Sequence, residues 1–142
     1  MITTTRRADY RALAQFRYEL RRFLRFSEDA ARTVGLEPQH HQMLLVIKGA
    51  PADADPSIAY VAEQLQLKHN SVVGLADRLE ANGLIERRRA PDDHRRVQVR
   101  LTAAGEHVLH DLSLEHQEEI RLRAPELIAA MVAIVRAANK AR

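Results

Sequence analysis

The 142 residues predict a mainly α-helical, α+β fold: a winged helix-turn-helix with a two-stranded β wing, flanked by long N- and C-terminal helices. Three observations predict it. Apolar residues recur at helical spacing through both ends of the chain, two short helical stripes meet at a tight turn, and beyond Gly83 the apolar period shortens from about 3.6 toward about 2.

The first helix is predicted over 8–34, where Tyr10, Leu13, Phe16, Leu20, Phe23, Leu24, Ala31 and Val34 make an apolar stripe and arginines fill much of the rest. Gly35 ends it. Pro38 opens a shorter helix whose Met43, Leu44 and Ile47 are read as buried and which stops near Gly49. GAPADADPS, 49–57, is punctuated as a loop. In 57–85, Ile58, Val61, Ala62 and Leu65 form one stripe, and Val72, Leu75, Ala76 and Leu79 form a second that ends at Asn82-Gly83. A tight turn at 67–70 with Leu67 buried at its centre joins them, which is the spacing of a helix-turn-helix, and Gly83 suits a helix C-terminal cap.

Strands are predicted at 84–89 and 97–101. The second places Val97, Val99 and Leu101 on one face and Gln98 and Arg100 on the other. The stretch APDDHRR between them is a hairpin tip flanked by arginines. Packing the alternating ribbon on the core makes that tip project as a wing, narrow enough to enter a minor groove. Thr102 is predicted to cap a long helix running to about Arg123, and Pro125 to begin a last helix containing Leu127, Ile128, Met131, Val132 and Val135. The terminal helices carry more apolar surface than a compact winged-helix core needs. That excess reads as a dimer interface, the alternative being packing on the monomer's own core.

Composition narrows the function classes. With 46% hydrophobic and 29% charged residues the chain reads as one globular domain, 1–142. No run reaches the roughly 18 apolar residues of a membrane span, and MITTTRRADY lacks the apolar centre of a signal peptide, so the cytoplasm is the expected compartment. The absence of cysteine excludes disulfides, thiolate nucleophiles and cysteine-ligated zinc. A formal charge of +3 is a mild basic bias, supplied by arginine because Lys48, Lys68 and Lys140 are the only lysines. Arginine suits forked contacts to phosphates and bases, and a GC-rich genome produces the same skew without a functional reason.

The seven histidines are His40, His41, His69, His94, His107, His110 and His116. His107 and His110, three apart on one predicted helix beside Glu106, present two metal-ligand types on a common face. Nothing nearby completes a ligand set, so they are read as solvent-facing or hydrogen-bonded, and no metal or other cofactor is expected. No nucleophile motif or phosphate loop is present either, and the chain is not expected to be an enzyme.

The run VAEQLQLKHNSVVGLADRLEANGLIERRRAPDDHRRVQVRLTAAG resembles the winged helix-turn-helix of the MarR-type (multiple antibiotic resistance) transcriptional regulators. Its most specific pieces are DRLEANGLI, the Asp93-His94-Arg95 wing motif, and Leu101-Thr102 leading to Gly105. With the flanking helices the resemblance spans nearly the whole chain. It implies dimerisation helices at about 8–35 and 103–142, a DNA-binding lobe at about 39–101, and a pseudo-palindromic double-stranded operator as partner. It further implies that the helix from about Lys68 to Asn82 enters the major groove and that Arg95 enters the minor groove, with Asp93 bracing the Arg95 guanidinium. His69, Asn70, Ser71 and Val73 are then candidates for base edges, with Lys68 at the helix start, and Arg78, Arg88 and Arg96 for phosphates. His40 and His41 border the family's effector pocket, between the dimer-forming helices and the DNA-binding lobe, where a small aromatic or phenolic anion is the generic ligand. The implied function is a dimeric, sequence-specific transcriptional regulator, a repressor released by an effector. The alternatives are a winged-helix protein-protein module and a zinc-responsive regulator using histidines.

The sequence departs from the family pattern at two positions. Lys68 stands where many relatives place a serine cap, so either Asn70 caps the helix a turn later or its first turn frays. Gly74, mid-helix, costs about 1 kcal/mol against alanine. Close packing or tolerance accounts for it, and so does close approach to DNA.

Overall fold

A computed structural model describes residues 8–140 except His94. Five helices and a hairpin follow one another: α1 (Tyr10–Thr33), α2 (Pro38–Lys48), α3 (Ile58–Leu65), α4 (His69–Ala81), β1 (Ile85–Arg89), β2 (Val97–Leu101) and α5 (Ala103–Asn139). The predicted fold class is the one observed. Contacts divide the chain into two compact units, one reaching to Asp29 and resuming at Leu114, the other Ala30–Ser113.

The Ala30–Ser113 unit is built on one core. Met43, Leu44 and Ile47 of α2, Ile58 and Val61 of α3, and Val72, Leu75, Ala76 and Leu79 of α4 close on Ile85, Val99, Leu109 and Leu112. Local chemistry sets the element ends. Pro38 occupies the first turn of α2, where a missing N–H costs nothing. The Ser57 hydroxyl accepts the Tyr60 N–H at 3.1 Å and caps α3. Beyond α4, Leu84 N–H donates to Leu79 C=O at 2.9 Å and Gly83 N–H to Glu80 C=O at 3.0 Å. This is a Schellman closure, and the +72° φ of Gly83 is why glycine stands there.

The helix-turn-helix turn uses the same closure with a different residue. Leu67 N–H donates to Ala62 C=O at 3.0 Å while Gln66 holds φ 55°. The turn therefore ends at Lys68, and α4 begins at His69, two residues earlier than a 67–70 turn implies. Lys68 is the N-cap residue and makes no side-chain cap bond, and Asn70 lies inside the helix. Neither an Asn70 cap nor a frayed first turn is observed. An added methyl at Gly74 would meet nothing within 4 Å.

The strands pair antiparallel from Ile85 with Leu101 to Arg89 with Val97. A short third edge forms where Ser57 bridges Gln98 and Val99 N–H donates to Pro56 C=O at 2.9 Å. The predicted cap at Thr102 is present: its hydroxyl donates to Gly83 C=O at 2.6 Å and accepts the Gly105 N–H at 3.1 Å. A Cβ on Gly105 would fall 2.1 Å from the Leu84 carbonyl oxygen. This crossing is the physical content of the Leu101-Thr102-Gly105 spacing.

In the other unit, His116 receives or donates a 2.8 Å hydrogen bond with the Ser27 hydroxyl and stands edge-on to Phe23 and Phe26. Glu19, only 4% exposed, accepts from Gln15 at 3.0 Å. One expectation fails here. No break separates a helix ending at Arg123 from one starting at Pro125; α5 runs unbroken with Pro125 inside it. The surrounding Leu, Ala, Glu and Arg residues favour helix on both sides, so the sequence loses one backbone bond rather than the helix.

Candidate nucleic-acid interface

The hairpin tip is shaped by its own backbone. Ala90, fully buried, donates its N–H to Arg96 C=O at 2.9 Å, and Arg96 N–H donates to Asp93 C=O at 3.1 Å, closing a narrow loop. Asp93 does not brace the Arg95 guanidinium. Its carboxylate accepts the Arg95 backbone N–H at 3.0 Å, so Asp93 fixes the turn and the side chain of Arg95 is left without an ion pair among the described residues. His94, the middle residue of the wing motif, lies outside the described residues.

A groove of about 600 Å³ joins this tip to the second helix of the helix-turn-helix. Its walls include His69 and Val73 of α4, Ser57 and Ile58 at the start of α3, and Arg88, Arg89, Arg95 and Arg96 of the hairpin. The structure thus brings His69, Val73, Arg88, Arg95 and Arg96 to one concave, basic surface. His69, Asn70, Ser71 and Lys68 are exposed at the α4 start, whereas Val73 is half-buried and packs partly on the core. Arg78 is exposed one turn before the α4 end.

The arginines here are not equivalent. Arg87 contacts Asp77 at 2.7 Å and Glu80 at 3.2 Å, tying β1 to α4. Hydrogen bonding to Arg87 holds the Glu80 carboxyl below its usual range, and the same two carboxylates raise the Arg87 guanidinium. All three side chains are partly open to solvent, so the network contributes on the order of 1 kcal/mol or less. Arg88 pairs with Glu86 at 2.9 Å, with its side chain 66% exposed. Arg96 is engaged by two carboxylates, Asp55 at 2.7 Å and Asp92 at 3.1 Å, and is therefore poorly available as a phosphate contact. Arg89 is exposed, lines the groove and has no ion pair among the described residues. Sequence reasoning passed over it. Its place on β1 beside the tip, two residues from Arg87, was the available signal.

His40 and His41 lie away from this groove in the first turn of α2, 7% and 2% exposed. Burial, and next the positive charge of Arg78, hold His40 below the ordinary imidazole range, against an opposing pull from Glu37. His40 Nε2 has no hydrogen-bond partner among the described residues. His107 and His110 are exposed and approach Asp111 at 3.6 and 3.4 Å. No group of three or more histidine or carboxylate ligands occurs among the described residues, and none of the described helices is long and apolar enough to cross a membrane.

Residues 34–96 match the MarR family. Among solved structures, a point mutant of MepR from S. aureus superposes with a TM-score of 0.74 at 17% identity, covering 94% of this chain and 98% of that one. Another MepR mutant, bound to an oligodeoxyribonucleotide, gives 0.64 at 18% identity over 89% and 95% of the two chains. CouR from Rhodococcus jostii, bound to p-coumaroyl-CoA, gives 0.65 at 22% identity over 79% and 76%. At such identities the likeness is one of fold. A search of curated protein sequences gives no match.

Proposed function

We propose, from the match of residues 34–96 to the MarR family, that this chain is a dimeric, sequence-specific DNA-binding transcriptional regulator that acts as a repressor and is released by a small-molecule effector. The observation that carries the reading is the groove in which His69 and Val73 of α4 face Arg88, Arg89 and Arg95 of the hairpin. A helix start and a narrow basic tip on one concave face match the major-groove and minor-groove elements of a winged helix.

In this reading α4 enters the major groove, and His69, Asn70, Ser71 and Val73 meet base edges. Asn70 suits adenine, and Val73 a thymine methyl. Lys68, Arg78, Arg88 and Arg89 neutralise phosphates, setting affinity and register. Arg95, with no carboxylate partner among the described residues, inserts into the minor groove, while Asp93 fixes the turn that carries it. Two copies bound through α1 and α5 read half-sites about 34 Å apart on a pseudo-palindromic operator. The oligonucleotide-bound MepR supports the DNA partner. The CouR complex supports an aromatic effector class, and the buried His40 and His41 remain the effector-site candidates.

The test is a fluorescence-anisotropy titration against DNA from the region upstream of its own gene, at several salt concentrations, with wild type and Arg95→Ala. The wild type should bind tightly with a steep salt dependence, and Arg95→Ala should lose about tenfold or more with a salt slope smaller by about 1. Binding indifferent to salt, or unchanged by Arg95→Ala, overturns the assignment.

A further inference from the structure

Arg96 and Asp55 are separated by more than half of the helix-turn-helix lobe in sequence, yet Arg96 Nε lies 2.7 Å from Asp55 Oδ2. Its Nη2 simultaneously donates to Asp92 Oδ1 at 3.1 Å. Both Asp55 carboxylate oxygens are closed off from solvent, and among the described residues Arg96 is the cation that reaches them. The approach is not aligned as a directed hydrogen bond, so its attraction is chiefly Coulombic, and with the Asp55 and Arg96 side chains 27% and 42% exposed it is screened less than a pair standing fully in water. The next residues continue the attachment: Pro56 C=O accepts Val99 N–H at 2.9 Å, Ser57 bridges Gln98, and Ser57 caps α3.

We propose that Asp55 is a positioning residue for the wing: with Asp92 it clamps Arg96, fastening the hairpin to the α3 cap so that Arg95 is presented at a fixed angle. Arg96 serves this clamp rather than DNA. Only the binding arm of the test below rests on the DNA-binding reading.

A charge argument makes the sign of the effect diagnostic. Asp55→Asn removes a negative charge near a basic groove and frees a guanidinium, so electrostatics alone predict tighter DNA binding with a steeper salt slope. Loss of positioning predicts weaker binding. Asp53→Asn is the matched control, because Asp53 lies exposed in the same loop with no ion pair among the described residues.

The experiment uses the whole 142-residue chain. Hydrogen exchange is followed at the Val99 and Ala90 amides, which report the edge and the tip, and DNA binding is measured by anisotropy. In Asp55→Asn both amides should exchange about tenfold faster, and affinity should fall about five- to tenfold, while Asp53→Asn stays within about twofold for exchange and binds no more weakly. Arg96→Gln removes the clamp from its other side and should release the same amides, and the double variant should add little to either single one. Unchanged exchange at Val99 in both Asp55→Asn and Arg96→Gln overturns the clamp, whatever the DNA result. So does tighter binding by Asp55→Asn. If the wild type binds no DNA, the functional reading fails, and the exchange measurement still decides the clamp.

Discussion

His40 is a small instance of how one side chain can make the lobe sensitive to acid. It sits in the first turn of α2, where burial and the helix N-terminus both disfavour a positive charge, and the Arg78 guanidinium adds to the cost. Its folded pKa therefore lies below the 6.5 of an unperturbed imidazole, and the neutral form is the one the fold accommodates. The unfolded chain binds a proton there first, so stability is full above about pH 6.5 and declines as pH falls from there toward the depressed folded value. Glu80, also depressed, acts in a separate window, because its contribution is present above its unfolded value of 4.5 and is lost only below it. Thermal melts between pH 7.5 and 5.5 should therefore show the wild type losing stability as the pH falls and His40→Gln losing less. Parallel curves for the two proteins would remove His40 as the cause.

Among the elements, those with a strong period were legible in the sequence and those decided by distant contacts were not. The stripes of α2, α3 and α4, the alternation of β2 and the Thr102 cap each follow from a few neighbouring residues, and the structure shows each of them. Arg88, Arg95 and Arg96 read alike in sequence because a run of arginines does not say which carboxylate each will meet. The fold separates them: Asp55 comes from the loop before α3 to take Arg96, and Asp93 spends its oxygen on a backbone N–H. Gln66 could not be read as the left-handed turn residue because it is not glycine. Pro125 misled in the opposite direction, since proline usually ends a helix, whereas here α5 continues through it. A mid-helix proline forfeits a backbone bond and crowds the preceding turn, at about 3 kcal/mol in an isolated helix. Pro125→Ala should therefore raise the melting temperature and the helical circular dichroism at 222 nm, with a gain of up to about 3 kcal/mol where the helix has not already relaxed around the ring. A loss of stability would mean instead that the proline sets a bend the fold requires.

At the scale of the whole molecule, the terminal helices carry apolar side chains that the other described residues leave exposed. Ile128, Met131, Val132 and Val135 are 57, 47, 40 and 57% exposed and recur at the three- and four-residue steps of one helix face. Leu114, Ile120 and Leu122 of α5 and Tyr10, Leu13, Tyr18 and Leu24 of α1 add to it. Apolar side chains left in water cost roughly 25 cal/mol per Å², and a second copy that covers them removes the cost for both. In the proposed complex, dimerisation also sets how tightly the groove holds DNA. One lobe offers a few phosphates and a short run of bases, whereas two lobes on linked half-sites gain effective concentration of about a hundredfold or more without any new contact. Ile128→Glu combined with Met131→Glu places two charges in the proposed interface at positions far in sequence from the groove. Sedimentation should show the wild type as a dimer and the double variant as a monomer, and the variant's affinity for a two-half-site operator should fall by about a hundredfold, toward that of the wild type for a single half-site. A double variant that still sediments as the wild type does would move the interface elsewhere. One that is monomeric yet binds the full operator as tightly as before would show that a single lobe suffices, and the apolar face would then need a different occupant.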